Sequence, residues 1–180
     1  LAFYGKCGII LLYSKNYQYQ EDNCMKKVLF ISSTGGHLTE LLQLKPLFQK
    51  YDSYIMTEKT KSNVSLKNEY GDHMSYLLYC TKHSKLKYPF VLLLNCFISL
   101  YYFLKIRPVA VVTTGTHTAG PMCCIAKIFG AKVIFIETFA NMKTRTVAGN
   151  LIYKFADLFI VQWESMLEVY PKAVYGGWIF

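Results

Sequence analysis

The sequence lacks the signatures of several common protein classes. None of its six cysteines lies in a Cys-x-x-Cys pair, which argues against a zinc ribbon or a thioredoxin-like motif. We therefore expect reduced cysteines and a compartment on the cytosolic side. The sequence has neither a Gly-x-Gly-x-x-Gly fingerprint nor a Gly-x-x-x-x-Gly-Lys-[Ser/Thr] loop, so neither NAD nor ATP is indicated as a ligand. Acidic residues are scarce, because 11 Asp and Glu stand against 20 Lys and Arg, which gives a net charge of +9.

Apolar and aromatic residues are abundant instead. Hydrophobic residues make up 53% and aromatic residues 16% of the 180 positions, and the mean hydropathy is +0.21. This composition indicates a surface that is covered by a membrane or by a partner protein. A basic and apolar chain suits an anionic membrane surface. Because no known nucleic-acid-binding motif is found, we expect no nucleic-acid partner.

One segment combines a strand, a turn of small residues and a helix. After Lys26 and Lys27, residues 28–31 form an apolar run that is typical of a buried parallel strand. Residues 33–36 (Ser-Thr-Gly-Gly) form the turn, and His37 directly follows it. From Leu38 onward, leucines recur at helical spacing. Such a turn presents unpaired N–H groups, so it predicts a site for an anion. An ordinary tight turn, in which the glycines serve packing, is the alternative.

Strands and helices alternate along the rest of the chain. This alternation predicts an α/β fold with a Rossmann-like, doubly wound parallel sheet. We expect a single domain over residues 25–180, and we expect residues 1–24 to be a non-native or disordered N-terminal extension. Further strands are predicted at 53–57, 75–79, 109–113, 132–136, 158–161 and 173–175, and further helices at 122–129, 146–156 and 163–170.

Three polar turns follow predicted strands. In a parallel sheet the carboxyl ends of the strands lie at one edge, where ligands bind. We therefore expect the three turns to converge on one site. They are Ser33-Thr34-Gly35-Gly36-His37, Thr113-Thr114-Gly115-Thr116-His117 and Glu137-Thr138-Phe139-Ala140.

The longest apolar stretch without charge, residues 88–104, lies between basic residues. Pro89 suits the first turn of a helix, and Pro108 enforces its end. The apolar part would be about 26 Å long, short of the ~30 Å hydrocarbon core of a bilayer. We expect a membrane-associating helix at about residues 89–106 that lies in the lipid interface, with a buried helix or a transmembrane span as alternatives. The residues expected to contact the membrane are Lys85, Lys87, Phe90, Leu93, Phe97, Tyr101 and Lys105.

The three turns, in this order and at these spacings, resemble the capsular and exopolysaccharide accessory proteins of Gram-positive bacteria, which enhance a β-1,4-galactosyltransferase. The sequence is also similar to the membrane-side subunit of the eukaryotic two-part N-acetylglucosaminyltransferase of lipid-linked oligosaccharide synthesis. Both resemble the N-terminal half of the peptidoglycan glycosyltransferase that makes lipid II. The resemblance covers residues 25–180 and implies a domain equivalent to the N-terminal half of a GT-B glycosyltransferase.

This resemblance implies an acceptor-binding, membrane-recruiting subunit of a two-component glycosyltransferase. The chain would bind a polyprenyl-diphosphate-linked glycan at the cytoplasmic face of the cell membrane, as a peripheral or monotopic protein. A partner subunit would bind the UDP-sugar, and the transferred sugar is expected to be β-1,4-linked galactose. No cofactor and no metal are implied. The residues expected to bind the acceptor diphosphate are Ser33, Thr34, Gly35, Gly36, His37, Gly115, Thr116, His117 and Arg145.

Two residues are candidates for the base that deprotonates the acceptor hydroxyl. His37 is the first, and the alternative is that it only donates a hydrogen bond to phosphate. Glu137 is the second, and the alternative is that its carboxylate holds the turn in place. Two other functions stay open at this point: a complete small glycosyltransferase that is active alone, and a basic nucleic-acid-binding module.

Overall fold

A seven-stranded parallel sheet forms the centre of the protein in a computed structural model that describes residues 25–79 and 86–179. The order of the strands across the sheet is β3-β2-β1-β4-β5-β6-β7. Every neighbouring pair is parallel. The strands are β1 (Lys27–Ile31), β2 (Asp52–Glu58), β3 (Met74–Leu77), β4 (Ala110–Thr114), β5 (Lys132–Ile136), β6 (Leu158–Val161) and β7 (Val174–Tyr175).

Helices connect the strands and cover both faces of the sheet. This arrangement confirms the predicted Rossmann-like, doubly wound fold. The expectations for residues 1–24 and for Lys85 lie outside the described residues. The helices are α1 (Gly36–Leu42), α2 (Lys45–Phe48), α3 (Leu66–Tyr70), α4 (Tyr88–Ile106), α5 (Gly120–Ile128), α6 (Val147–Ile152) and α7 (Met166–Val169).

The alternation of side chains along β1 shows how the two faces arise. Leu29 and Ile31 belong to the hydrophobic cluster that packs under α4, α5 and α6, whereas Val28 and Phe30 belong to the cluster under α1 and α2. Successive residues of a strand point to opposite faces, so a strand that is buried on both sides is apolar throughout. This explains why the sequence shows continuous apolar runs at its strands.

The ends of some elements differ from the prediction for identifiable reasons. Strand β3 ends at Leu77, and not near residue 79, because the side-chain amide of Asn95 occupies both the N–H and the C=O of Leu78 at 2.9 Å. Helix α6 ends at Ile152, and a turn over residues 153–155 follows it, in which the Ile152 carbonyl accepts from the N–H groups of both Phe155 and Ala156. Helix α4 ends at Ile106, because the next residue, Arg107, takes the left-handed conformation at φ 53° directly before Pro108.

Candidate functional site

The three polar turns lie side by side at the carboxyl edge of the sheet. The hydroxyl of Thr114, at the end of β4, donates to the backbone carbonyl of His37 at 2.8 Å and so joins the second turn to the first. Gly115 packs against the third turn, because a Cβ on Gly115 would lie 2.8 Å from the backbone nitrogen of Thr138. Gly115 also has φ +58°, which favours glycine. The parallel topology therefore brings together the segments that the sequence predicts.

The first turn leaves space above its glycines. Gly35 has φ +77°, and both Gly35 and Gly36 are exposed. A Cβ at either position would meet no atom within 4 Å, so the backbone here is accessible to a ligand and not needed for packing. This accessibility favours the ligand-binding interpretation of the turn over the packing alternative.

His37 is half-buried at the start of α1. Burial lowers the pKa of the His37 imidazole below its ordinary value of 6.5, and a hydrogen bond with the Thr114 backbone opposes this shift in part. Its Nδ1 atom is buried and has no hydrogen-bond partner among the described residues. The imidazole is therefore neutral at physiological pH, the form that a general base requires.

The second turn places His117 next to α4. The Thr116 hydroxyl accepts a hydrogen bond from the Thr118 N–H at 3.3 Å and so shapes this turn. The ring of His117 lies 6.1 Å from the ring of Tyr88, at the first residue of α4. The second turn therefore lies between the first turn and the beginning of the long apolar helix α4.

Glu58 joins the first two turns and is absent from the residues that the sequence predicts. It is buried at the end of β2, where its carboxylate accepts from the Thr118 hydroxyl at 2.9 Å and from the Thr34 N–H at 3.4 Å. Burial raises the pKa of the Glu58 carboxyl, and these two hydrogen bonds oppose the shift. No local pattern marks this role, because Glu58 begins a polar and charged segment, residues 58–72, that predicts a mobile loop or a short helix on the surface.

The buried carboxylate of Glu137 stabilises the third turn by hydrogen bonds. The residue is 1% exposed, and its carboxylate accepts from the Thr138 N–H, the Thr146 hydroxyl and the Tyr170 hydroxyl, each at about 3.0 Å. Burial raises the pKa of Glu137, and these donors oppose the shift. This geometry favours the alternative in which Glu137 is a turn-holding carboxylate. Its role as a second candidate base stays a prediction.

Glu40 ties α1 to the third turn and was also missed from the sequence. Its Oε1 atom accepts from the Thr138 hydroxyl at 3.0 Å and from the Phe139 N–H at 2.9 Å. Its Oε2 atom is buried without a partner in the described part of the chain, and burial raises the pKa of this carboxyl. The described residues contain no group of three or more His, Cys, Asp or Glu side chains that could hold a metal ion.

The side chain of Arg145 bonds residues that lie outside the three turns. Its guanidinium donates to the Val169 carbonyl at 2.8 and 3.1 Å and to the Asn150 side chain at 3.3 Å, and it lies 5.4 Å from the ring of Tyr170. Within the described ranges, none of the hydrogen bonds of Arg145 goes to the first or the second turn. Its predicted contact with the acceptor diphosphate would require these bonds to be exchanged.

Helix α4 buries two polar and two apolar residues, namely Asn95, Ser99, Phe103 and Ile106, and it exposes an apolar face. Asn95 and Ser99 are buried, and Asn95 bonds the backbone of Leu78. By length and composition alone, the helix could cross a membrane. In the folded protein, 22% of its most apolar 18-residue segment is buried. Lys87 precedes the helix and Lys105 lies in its last turn, both exposed. The apolar residues of α4 that are about half exposed or more are Phe90, Leu93, Leu94, Phe97, Tyr101 and Leu104.

Solved structures share this fold at low sequence identity. The MurG protein of Acinetobacter baumannii superposes with a TM-score of 0.60 and 17% identity over 78% of this chain and 42% of that protein. A UDP-GlcNAc 2-epimerase of Methanocaldococcus jannaschii superposes with a TM-score of 0.59 and 12% identity over 83% of this chain and 43% of that enzyme. The chain therefore spans less than half the length of these structures and has the Rossmann-like fold found in GT-B glycosyltransferases and epimerases.

Sequence comparison identifies relatives of similar length. The UDP-N-acetylglucosamine transferase subunit ALG14 of Rattus norvegicus is 27% identical over 175 residues, which cover 83% of this chain and 81% of that protein. The human protein of the same name is 24% identical with the same coverage. The family model for oligosaccharide biosynthesis protein Alg14-like matches residues 28–179. The predicted resemblance to the eukaryotic two-part transferase subunit is thus confirmed at the level of the family, and the chain belongs to the Alg14-like family of oligosaccharide biosynthesis proteins.

Proposed function

We propose that this chain is the acceptor-binding, membrane-recruiting subunit of a two-component glycosyltransferase. It holds a polyprenyl-diphosphate-linked glycan, and a separate subunit brings the UDP-sugar. The observation that carries the proposal is that the chain forms a single sheet with three polar turns at its carboxyl edge. This one sheet domain superposes on only 42% of the MurG chain. The curated relatives are themselves named as subunits of a UDP-N-acetylglucosamine transferase, which supports an incomplete catalyst.

The open first turn supports binding of the acceptor diphosphate. Gly35 and Gly36 expose their backbone, and backbone N–H groups in such turns bind phosphate oxygens. His37 stands next to them, and Gly115 and Thr116 form the neighbouring wall through the Thr114 bond. Ser33 and Thr34 complete the predicted set on the first turn.

The exposed face of α4 supports membrane recruitment. A helix of a soluble protein normally buries most of its apolar residues, whereas α4 buries only two large apolar residues, Phe103 and Ile106, beside two polar ones. Its other phenylalanines and three of its leucines are about half exposed or more. The basic residues Lys87 and Lys105 lie near its two ends, and each would contribute about 1 kcal/mol on an anionic leaflet. We place the protein at the cytoplasmic face of the membrane, where the interfacial orientation of α4 brings the turns close to lipid-linked substrates.

The reaction that this arrangement supports is an inverting sugar transfer. The hydroxyl of the acceptor glycan attacks the anomeric carbon of the donor, the bond from that carbon to UDP breaks, and UDP leaves. His37 takes the proton of the attacking hydroxyl, a role for which its lowered pKa suits it. A positioned base of this kind contributes about 10²–10⁴-fold to the rate.

The transferred sugar has two candidates. The names of the curated relatives favour UDP-N-acetylglucosamine as the donor. The resemblance to capsular and exopolysaccharide accessory proteins favours β-1,4-linked galactose from UDP-galactose. A direct assay with both donors distinguishes them.

The test is reconstitution of the chain with its donor-binding subunit in vesicles that contain a prenyl-diphosphate-linked N-acetylglucosamine or glucose acceptor. We expect transfer only when both subunits are present. His37→Ala should lower the rate by about 10²–10⁴-fold without loss of membrane binding or of subunit pairing. His73→Ala serves as the matched control, because His73 lies before β3 and stacks on Tyr54. Full turnover by the chain alone would refute the two-component proposal, and full turnover by His37→Ala would remove this residue from the mechanism.

A further inference from the structure

The segment at the end of β2, residues 58–63, is joined to the first turn at Thr34. The Thr34 N–H donates to the Glu58 carboxylate at 3.4 Å. The Thr34 hydroxyl lies 3.4 Å from the Thr60 hydroxyl and accepts from the side-chain amide of Asn63, also at 3.4 Å. The N–H and the hydroxyl of Thr34 are therefore both bound by this segment.

Asn63 fixes the shape of the segment. The residue is 2% exposed, and its side-chain amide donates to the Glu58 carbonyl at 2.7 Å and accepts from the Thr60 N–H at 3.0 Å. Its backbone carbonyl accepts from the hydroxyl of Tyr76, on β3, at 2.9 Å. A buried side chain with these partners cannot move without leaving polar groups unpaired, which is costly. The segment therefore presents Glu58 and Thr60 to Thr34 in one arrangement.

The Glu58 carboxylate extends this connection to the second turn. Glu58 is 5% exposed, and its other oxygen accepts from the Thr118 hydroxyl at 2.9 Å. An ionised carboxylate can only accept hydrogen bonds. A phosphate oxygen that took the Thr34 N–H would therefore leave a buried carboxylate oxygen without its donor. This cost keeps the Thr34 N–H on Glu58.

The next two residues of the first turn have the opposite character. Gly35 and Gly36 are exposed, and no atom would lie within 4 Å of a Cβ on either residue. The first turn thus changes at the peptide bond between Thr34 and Gly35 from a bound part to an open part. Because the peptide unit is planar, the direction that Glu58 imposes on Thr34 limits the directions available to the backbone of Gly35.

We propose that Thr34 and Glu58 are positioning residues, which hold the first turn in the conformation that presents the backbone of Gly35 and Gly36 to the acceptor diphosphate. This inference rests on the proposed function and narrows its set of contacts, because Thr34 then bonds Glu58 and not the diphosphate. Glu58 contributes to affinity by preorganisation, since the turn is ordered before the ligand arrives. Its negative charge opposes a diphosphate, so a neutral acceptor of the same shape should serve at least as well.

The first experiment measures binding of a ten-carbon prenyl diphosphate to the full chain in nanodiscs by calorimetry. Glu58→Gln keeps an oxygen that can accept from the Thr34 N–H and an amide that can donate to the Thr118 hydroxyl, so it should bind at least as tightly as the wild type. Glu58→Met has a similar size but no acceptor, so it should bind about 10-fold more weakly, a loss typical of one hydrogen bond. Glu69→Met is the matched control, because Glu69 is exposed and pairs with Lys45 at 3.1 Å, and it should keep the wild-type affinity.

The second experiment uses the wild type alone, so it does not depend on the folding of a variant. Amide hydrogen exchange is followed by NMR on a chain labelled with ¹⁵N at threonine and glycine, with inorganic pyrophosphate as the soluble probe. The Thr34 amide should be protected with and without pyrophosphate, because Glu58 binds it in both states. The amides of Gly35 and Gly36 should become protected only when pyrophosphate is added.

Four outcomes would contradict these expectations. Equal affinity of Glu58→Met and the wild type would overturn the proposal, while acceptor binding by the chain would stand. An equal change in Glu58→Gln and Glu58→Met would also overturn it, because the charge of Glu58 and not its hydrogen bond would then matter. Protection of the Thr34 amide only in the presence of pyrophosphate would make Thr34 a ligand and overturn its positioning role. Failure of the wild type to bind the prenyl diphosphate would instead refute the proposed function itself.

Discussion

Replacement of Phe90 and Phe97 by serine should release the protein from vesicles. The two side chains are 70% and 62% exposed, so about two-thirds of each ring is available to enter lipid. Full burial of a phenylalanine contributes about 1.5–3 kcal/mol, which gives about 1–2 kcal/mol for each of these rings. The double variant should therefore lose about 2–4 kcal/mol of membrane affinity, or about 30- to 700-fold in the partition coefficient.

The assay is sedimentation with vesicles that contain anionic lipid, over a series of lipid concentrations. The double variant should keep the wild-type melting temperature, because the exposed rings contribute little to the core. Val64→Ser is the control, since Val64 is 48% exposed and the Tyr76 hydroxyl contacts its carbonyl on the other face of the sheet. Equal vesicle binding by the double variant and the wild type would refute the assignment of the α4 face, as would an equal loss in Val64→Ser.

Three further predictions concern the turns. Gly149→Ala should destabilise the fold by about 3 kcal/mol in urea denaturation, because its methyl group would overlap the side chains of Glu137 and Tyr170; an unchanged midpoint would contradict the packing. The stability of Glu40→Gln relative to the wild type should be greater at pH 8 than at pH 5. Burial raises the pKa of Glu40 in the folded state, so the wild type loses stability as the pH rises above the ordinary value of 4.5, and a difference independent of pH would contradict this. The transfer rate should fall as the pH is lowered, with a midpoint below pH 6.5, because burial lowers the pKa of His37. A midpoint above pH 6.5 would assign the proton transfer to another group.

The fold could be predicted from the sequence because its determinants are local. The apolar run of β1 and the helix after Gly36 follow from residue spacing within a few positions. The parallel topology then requires that the segments after β1, β4 and β5 meet at one edge, and the bond between Thr114 and His37 shows this. Helix α4 was predicted from its lack of charge and from the prolines at its ends.

The carboxylates that organise the site could not be predicted in this way. Glu40 bonds Thr138 across 98 positions and Glu58 bonds Thr118 across 60, so no local pattern contains either contact. Polar residues in a charged or helical segment are mostly exposed, so the sequence predicts a surface position for Glu58. The structure reverses this expectation, because the ends of neighbouring strands bury both carboxylates.

The most direct test of the account is a comparison of two ligands on the isolated chain, without its partner subunit. Reconstituted in nanodiscs, the chain should bind a prenyl-diphosphate-linked sugar saturably and show no saturable binding of UDP-N-acetylglucosamine or UDP-galactose. Tight binding of either nucleotide sugar together with no binding of the lipid-linked acceptor would contradict the claim that this chain is the acceptor half of a divided glycosyltransferase.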